Sequence, residues 1–121
     1  MGSERMRRVD EAVRQVLADA LAHELKDPRI GFVTVTDVNT SPDLRHARVF
    51  VSVLGEAQQR DETLDGLRSA HGYLQQHIAR ELKLKHTPTL EFSYDDTTDR
   101  AMRVGELMER AEHDDTEPGQ P

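Results

Sequence analysis

Apolar residues near the start of the chain recur every three or four positions, the spacing of one helical face. Between about residues 5 and 25 this stripe consists of Val9, Val13, Val16, Leu17, Ala20, Leu21 and Leu25. Pro28 ends the pattern, because proline disfavours helical geometry in the residue before it. The next segment, residues 32–38 (FVTVTDV), is rich in β-branched side chains and predicts a strand.

A second strand is predicted over residues 44–54, where apolar and more polar positions alternate. One face would hold Ala47, Val49, Val51 and Val53, and the other His46, Arg48, Phe50 and Ser52. Residues 39–43 (NTSPD), between the two strands, have the composition of a turn. So short a connection favours an antiparallel hairpin.

Helical spacing resumes after a predicted polar linker at residues 55–61 and ends near residue 85. Its apolar positions are Leu64, Leu67, Leu74, Ile78 and Leu82. Ala70-His71-Gly72 lies in the middle of this stretch and predicts a break into two helices. Thr89–Tyr94 alternates again and predicts a third strand, after which residues 95–98 (DDTT) offer caps for a short helix over residues 101–108.

This order of elements predicts an α+β domain in which helices cover one face of a three-stranded sheet. The long helical connection between the second and third strands allows a parallel crossover. With the broken helix counted as a kinked helix pair, the first six elements follow the order αββααβ. This is the order of a type II KH domain, an RNA-binding architecture.

The 121 residues are enough for one domain, which we assign to residues 1–110. The net charge is −7, of which residues 106–121 contribute −5. We expect residues 111–121 to form an acidic, disordered tail. A nearly neutral body with local basic clusters is compatible with nucleic-acid binding.

No cysteine is present, which excludes disulfides and thiolate zinc sites and fits a reducing compartment. No apolar run is long enough for a membrane span, and the first residues lack the apolar segment of a signal peptide. We expect a cytoplasmic protein with no membrane partner, and a monomer.

Signatures of catalysis are missing from the sequence. It has no phosphate-binding glycine loop, and its six histidines lack the spacing of a metal site. Asp95, Asp96 and Asp99 are better explained as caps of a helix than as a catalytic cluster. We therefore predict no enzymatic activity, no metal, no cofactor and no small-molecule substrate, although a hydrolase with a dispersed site would escape such a search.

The predicted helix break occupies the place where a KH domain has the G-x-x-G loop that clamps single-stranded RNA. No G-x-x-G is present, and Ala70-His71-Gly72 stands there instead. A small residue and a glycine permit a sharp bend and a close approach of another backbone. The alternative is that Gly72 simply ends the first helix as a C-cap.

Many of the basic residues fall in four separate clusters. They are Arg5, Arg7 and Arg8, then Lys26 and Arg29, then Arg45 and Arg48, and finally Arg80, Lys83 and Lys85. The functional interpretation is a phosphate-contacting surface assembled from separate elements. The alternatives are a solvated face and, for the lysines after the second helix of the pair, complementation of the helix dipole. The five aromatic residues are more typical of core than of stacking positions, which favours recognition of RNA shape and backbone.

Several segments together resemble the ribosome-binding factor A family. They are residues 26–31 (KDPRIG), 33–38 (VTVTDV), 41–44 (SPDL), 47–52 (ARVFVS), Ala70-His71-Gly72, 82–85 (LKLK), 88–92 (PTLEF), 94–95 (YD) and 102–103 (MR). Single motifs of this kind have little specificity, but here they follow one another in the family's order and spacing over about residues 5–110. In that family an Ala-x-Gly kink replaces the KH glycine loop.

The resemblance implies a type II KH-like fold and a role in assembly of the bacterial small ribosomal subunit. Such proteins bind the immature 30S subunit, assist maturation of 16S rRNA, leave before translation and support growth in the cold. We expect rRNA contacts from Ala70, His71 and Gly72 and from seven basic residues. These are Lys26, Arg29, Arg45, Arg48, Arg80, Lys83 and Lys85. The alternative is a KH-like protein-interaction module that does not bind RNA, for which the acidic balance of the chain argues.

Overall fold

The computed structural model describes residues 3–23 and 25–97, which form three helices and three strands. The elements are α1 (Glu4–His23), β1 (Val33–Thr40), β2 (His46–Val53), α2 (Ala57–Ser69), α3 (His71–Glu81) and β3 (Thr89–Tyr94). This is the αββααβ order predicted from the sequence, with the long helical segment divided into α2 and α3. The predicted cap at residue 98, the helix over residues 101–108 and the tail at 111–121 lie outside the described residues.

The sheet has the order β1-β2-β3. β1 and β2 are antiparallel, with Val33 opposite Val53 at one end and Thr40 opposite Ala47 at the other. β2 and β3 are parallel, so that α2 and α3 form the crossover between them. The predicted hairpin and parallel crossover are both confirmed.

One face of the sheet packs against the helices and forms the core. In β2 the buried residues are Ala47, Val49, Val51 and Val53, as the alternation predicts. From the helices, the core receives Val13, Leu17, Ala20, Leu64, Leu67, Leu74 and Ile78. The three described helices, α1, α2 and α3, therefore pack on the same face of the sheet and share one core with it.

β1 contains a bulge that the alternation does not show. The register shifts between Val35 and Asp37, and Val38 is buried on the same side as Val35. The extra residue, Thr36, donates its hydroxyl to Asp95 Oδ2 at 2.7 Å. Asp95 also donates its backbone N–H to the Val51 carbonyl at 2.7 Å, so the bulge is tied to the end of β3.

Several predicted boundaries are wrong. β1 continues to Thr40, into the predicted turn, and α3 ends at Glu81 rather than near residue 85. α2 begins at Ala57, inside the segment predicted as a linker, because the Glu56 N–H is capped by Gln59 Oε1 at 3.2 Å. Its first turn is exposed and so has no apolar signal. β2 begins at His46 rather than at residue 44, since Leu44 has φ 63° and closes the turn with its side chain buried.

Candidate nucleic-acid interface

The break between α2 and α3 is a single residue, Ala70, with φ −90° and ψ 5°. Its N–H bonds to the Gly66 and Leu67 carbonyls at 3.0 and 3.1 Å, while its carbonyl accepts the Leu74 N–H at 3.0 Å. Gly72 is the second residue of α3, so the alternative that it ends the first helix is wrong. Because α3 starts where α2 stops, the two helices join through this one residue without an intervening loop.

Gly72 is exposed, and a β-carbon built there would meet no atom of the described residues within 4 Å, apart from its neighbours along the same helix. His71 beside it is also exposed, and its Nδ1 lies 2.8 Å from the Arg68 carbonyl oxygen. A carbonyl can only accept, so Nδ1 donates in this contact and the ring is held against the end of α2. The bend is thus an open surface that a large partner can approach closely.

Three of the predicted cationic residues already have carboxylate partners. Arg29 bonds to Asp27 through Nη2 at 2.8 Å, and Arg48 reaches Glu91 on β3 at 3.2 Å. Arg45 is 4.0 Å from Asp43. Such exposed pairs contribute little to stability, but each places a negative charge where a phosphate would bind.

The other four predicted cations are exposed and without such a partner. Within residues 3–23 and 25–97, no carboxylate oxygen lies within 4.0 Å of Lys26, Arg80, Lys83 or Lys85. Arg80 is in the last turn of α3, and the two lysines follow on the connection to β3. These three cations sit at the negative end of the α3 dipole and face no competing carboxylate in the described part of the chain.

The structure brings some of the predicted residues together and separates others. The Thr89 N–H bonds to the Arg45 carbonyl at 2.8 Å, which places Arg45 next to the α3–β3 connection. A shallow depression there is lined by Arg45, His46, His86, Thr87 and Thr89. Arg48 instead lies on the face of the sheet opposite α1, α2 and α3, so the predicted residues do not form one continuous patch.

Lys26 and Arg29 belong to the α1–β1 loop (residues 25–32), which packs against the middle of α2. The Thr63 hydroxyl donates to the Arg29 carbonyl at 3.3 Å. A β-carbon on Gly66 would lie 2.7 Å from Ile30 Cγ1, so only glycine permits this approach. The loop therefore presents its cations at a different place from the α3–β3 connection.

The ion pair in this loop changes the acid–base behaviour of both partners. The side chain and the backbone N–H of Arg29 both donate to Asp27, which holds the pKa of that carboxyl below its ordinary 3.8. The same side-chain hydrogen bond raises the pKa of Arg29. Arg29 would have to exchange Asp27 for a phosphate in order to contact RNA.

Sequence reasoning missed two features of the surface. Phe32 and Leu54 are 81% and 75% exposed, and they adjoin through a hydrogen bond from the Leu54 N–H to the Phe32 carbonyl. Strand alternation could have revealed Phe32, since it has the opposite parity to the inward-facing Val33 and Val35. Arg68 and Gln75, which bridge to β3, have no sequence signal because their partners are backbone atoms distant in the chain.

Neither a metal site nor a membrane-spanning helix is found in the described ranges, 3–23 and 25–97. No group of three or more His, Asp or Glu side chains there is placed to hold a metal ion. No helix in this part of the chain has the length and apolar character needed to cross a membrane.

Comparisons with known proteins agree with the sequence motifs. The family model for ribosome-binding factor A matches residues 5–108. Ribosome-binding factor A of Halothermothrix orenii is 43% identical over 115 residues, covering 95% of this chain and 94% of that protein. The crystal structure of the Thermus thermophilus factor gives a TM-score of 0.66 at 27% identity, covering 74% of this chain and 94% of that one.

A further match is a homology model of the Thermus thermophilus factor fitted into the cryo-EM map of a complex with the 30S subunit. It is 28% identical to this chain, with a TM-score of 0.60, and covers 71% of this chain and 90% of that one. The similarity therefore extends over the helices and strands described above, and both identities exceed the level at which only the fold is shared.

Proposed function

Because the chain belongs to the ribosome-binding factor A family, we propose that it binds the 30S ribosomal subunit and assists 16S rRNA maturation. The family match over residues 5–108 is the observation on which this proposal depends. It is supported by the similar Thermus thermophilus protein, which has been fitted into the map of a 30S complex. The family resemblance noted in the sequence is thereby confirmed.

The contact surface in this proposal contains the open bend at Ala70, His71 and Gly72 and the cations Arg80, Lys83 and Lys85. The bend permits close approach of an RNA backbone, and the cations follow on the same helix and its connection. Lys26 forms a second point of contact on the α1–β1 loop. Arg29, Arg45 and Arg48 contribute less, because each would first have to leave a carboxylate partner.

This surface acts by binding rather than by chemistry. A protein that binds one conformation of the immature rRNA more tightly than another increases the population of the first. No bond needs to be made or broken, so the proposed factor is non-catalytic. The proposal also has it act as a monomer in the cytoplasm, where the subunits are assembled. Such assistance has its greatest value in the cold, where alternative RNA structures persist.

A sedimentation experiment with purified immature 30S subunits tests the proposal. We expect the protein to pellet with the subunits at low salt and to be released as salt is raised, because phosphate contacts displace counterions. Mature subunits should retain less of it. Failure to pellet with either particle at low salt would contradict the proposal.

The alternative function is a protein-interaction module that uses the same fold without RNA. The exposed pair Phe32 and Leu54 favours it, because adjoining apolar side chains on a surface often mark a protein contact. Salt dependence separates the two functions. Binding to subunits that persists unchanged at high salt would support contact with a ribosomal protein instead of rRNA.

A further inference from the structure

β3 is an edge strand of the sheet in the described part of the chain, with β2 as its neighbour. The N–H groups of Thr89 and Asp95, at its two ends, bond to the β2 side. In a parallel strand the backbone groups of successive residues alternate between the two sides, so those of Leu90 and Phe92 face away from β2. An exposed edge of this kind offers donors and acceptors to an added extended chain.

Two side chains form hydrogen bonds with these outward-facing backbone groups. Gln75 Oε1 accepts the Leu90 N–H at 3.1 Å, and Arg68 Nη2 donates to the Phe92 carbonyl at 3.3 Å. Arg68 is in the last turn of α2 and Gln75 in the second turn of α3, on either side of the bend at Ala70. The bend therefore places one acceptor and one donor over the edge, each opposite a group of the complementary kind.

We propose that Arg68 and Gln75 close the cleft between the helix bend and β3 to single-stranded RNA. They are specificity-determining residues for the function proposed above, on which this inference rests. Unstacked bases present donors and acceptors on their edges and could bond to the Leu90 N–H and the Phe92 carbonyl. With those groups occupied, an extended strand gains nothing there, and recognition is left to the shape and phosphates of folded rRNA.

The location and length of this edge favour RNA as the excluded ligand. The edge lies beside the open bend that is proposed to contact RNA. The charge of Arg68 adds little, because Arg68 Nη1 is 3.8 Å from Asp65 Oδ1. β3 is only six residues long, and two of its outward groups are blocked, which leaves little backbone for pairing with a peptide strand. Closure of the edge is thus required chiefly against single-stranded nucleic acid.

The test compares Gln75→Ala with Gln76→Ala in the full chain. Gln76 is the neighbouring, exposed glutamine, so the two variants lose the same side chain, and neither changes the net charge. The probe is a fluorescein-labelled twelve-nucleotide oligouridylate, titrated by fluorescence anisotropy at low salt. We expect Gln75→Ala to bind it roughly three- to tenfold more tightly than wild type, the gain of about one net hydrogen bond, and Gln76→Ala to match wild type.

Amide hydrogen exchange shows whether the intended contact has been removed. Leu90 should exchange faster in Gln75→Ala than in Gln76→Ala, while the amides of β2 keep their protection. With that verified, equal affinity of the two variants for the oligouridylate would overturn the inference. Dimerisation of Gln75→Ala without a gain in RNA affinity would also overturn it, because the edge would then be closed against a protein strand.

A second pair of variants tests whether the gain in RNA affinity depends on the positive charge of Arg68. Arg68→Ala combined with Gln75→Ala removes a cation, which by itself weakens RNA binding. We expect the double variant still to bind the oligouridylate more tightly than Arg68→Ala combined with Gln76→Ala, and equal binding would contradict the inference. Wild-type binding to 30S subunits is measured separately, so failure of the proposed function is distinguishable from failure of this inference.

Discussion

The two glycines of the α2–α3 pair differ sharply in their surroundings. Gly66 is buried in α2, and a β-carbon there would lie 2.7 Å from Ile30 Cγ1 and 3.4 Å from Arg29 Cβ. Gly72 is exposed in α3, and outside its own stretch of helix no atom of the described residues lies within 4 Å of the position of its missing side chain. One glycine thus has a packing role in the protein itself, whereas the other does not.

This difference indicates which of the two glycines is explained by packing within the protein and which is not. The α1–β1 loop explains Gly66, because a side chain at this position would prevent the loop from packing against α2. Gly72 has neither a positive φ nor a close neighbour, and glycine is a poor helix former. A requirement for glycine at this position would have to come from a molecule that approaches the bend, which is consistent with rRNA contact there.

The largest effect on stability is expected for Gly66→Ala. The added methyl group must displace Ile30 and the loop, a type of overpacking that costs about 1–3 kcal/mol and outweighs the gain in helix propensity. The free energy of unfolding in urea measures it. A Gly66→Ala protein as stable as wild type would show that the loop moves aside freely and would contradict the packing role.

A smaller effect is expected on the same loop from Asp27→Asn. Hydrogen bonds from Arg29 lower the pKa of Asp27, so its charged form stabilises the fold above the ordinary pKa of 3.8. This contribution is lost as pH falls through the lowered pKa. Wild type should therefore be more stable than Asp27→Asn at neutral pH, and the difference should shrink below pH 3.8.

Urea unfolding at a series of pH values measures that difference, and Asp61→Asn on the exposed surface of α2 is the matched control. A gap between wild type and Asp27→Asn that is constant across the acid range would show that the carboxylate does not stabilise the loop by its charge.

Gly72→Ala should have little effect on stability, or a favourable one. Alanine is the better helix former by about 1 kcal/mol, and the structure leaves room for the methyl group. In thermal unfolding, Gly66→Ala should therefore lower the melting temperature, whereas Gly72→Ala should leave it unchanged or raise it. Destabilisation by both substitutions would mean that the bend needs glycine for folding, and the distinction between the two positions would be lost.

The smallest effect is expected for removal of the residues after Arg110. That segment is acidic and poor in apolar residues, so it should contribute neither to the core nor to phosphate binding. The circular dichroism spectrum should be unchanged and subunit binding no weaker than for the full chain. Weaker binding by the shortened protein would assign the segment a role that its charge does not suggest.

The sequence predicts those parts of the fold in which one face is buried and the other is exposed. The alternation in β2 correctly gives its buried residues, and the helical stripes give the core of α1, α2 and α3. The bulge at Thr36 and the start of α2 at Ala57 could not be predicted in this way. Both depend on specific polar contacts, to Asp95 and between Glu56 and Gln59, that leave no periodic signal.

The candidate site, too, is predicted from the sequence only in part, because its specific polar contacts leave no sequence signal. Charge and residue type identify the cations, but not that Arg48 is opposite Glu91 on another strand or that Arg29 is bound to Asp27. Arg68 and Gln75 could not be identified at all, because they act on backbone atoms that only the parallel crossover brings close. The sequence thus predicts candidate cations for phosphate binding, and the tertiary structure shows which of them already have a carboxylate partner.

In the proposed function, the helix bend and the cationic end of α3 form the surface that contacts rRNA. The most direct test measures the salt dependence of 30S binding for two triple variants of equal charge. One replaces Arg80, Lys83 and Lys85 by glutamine, and the other replaces Arg5, Arg7 and Arg8 on α1. Loss of three phosphate contacts should make the slope of log K against log salt shallower by about 2–3 for the first variant, while the second keeps nearly the wild-type slope. Equal changes in both variants, or no change in the first, would contradict the claim.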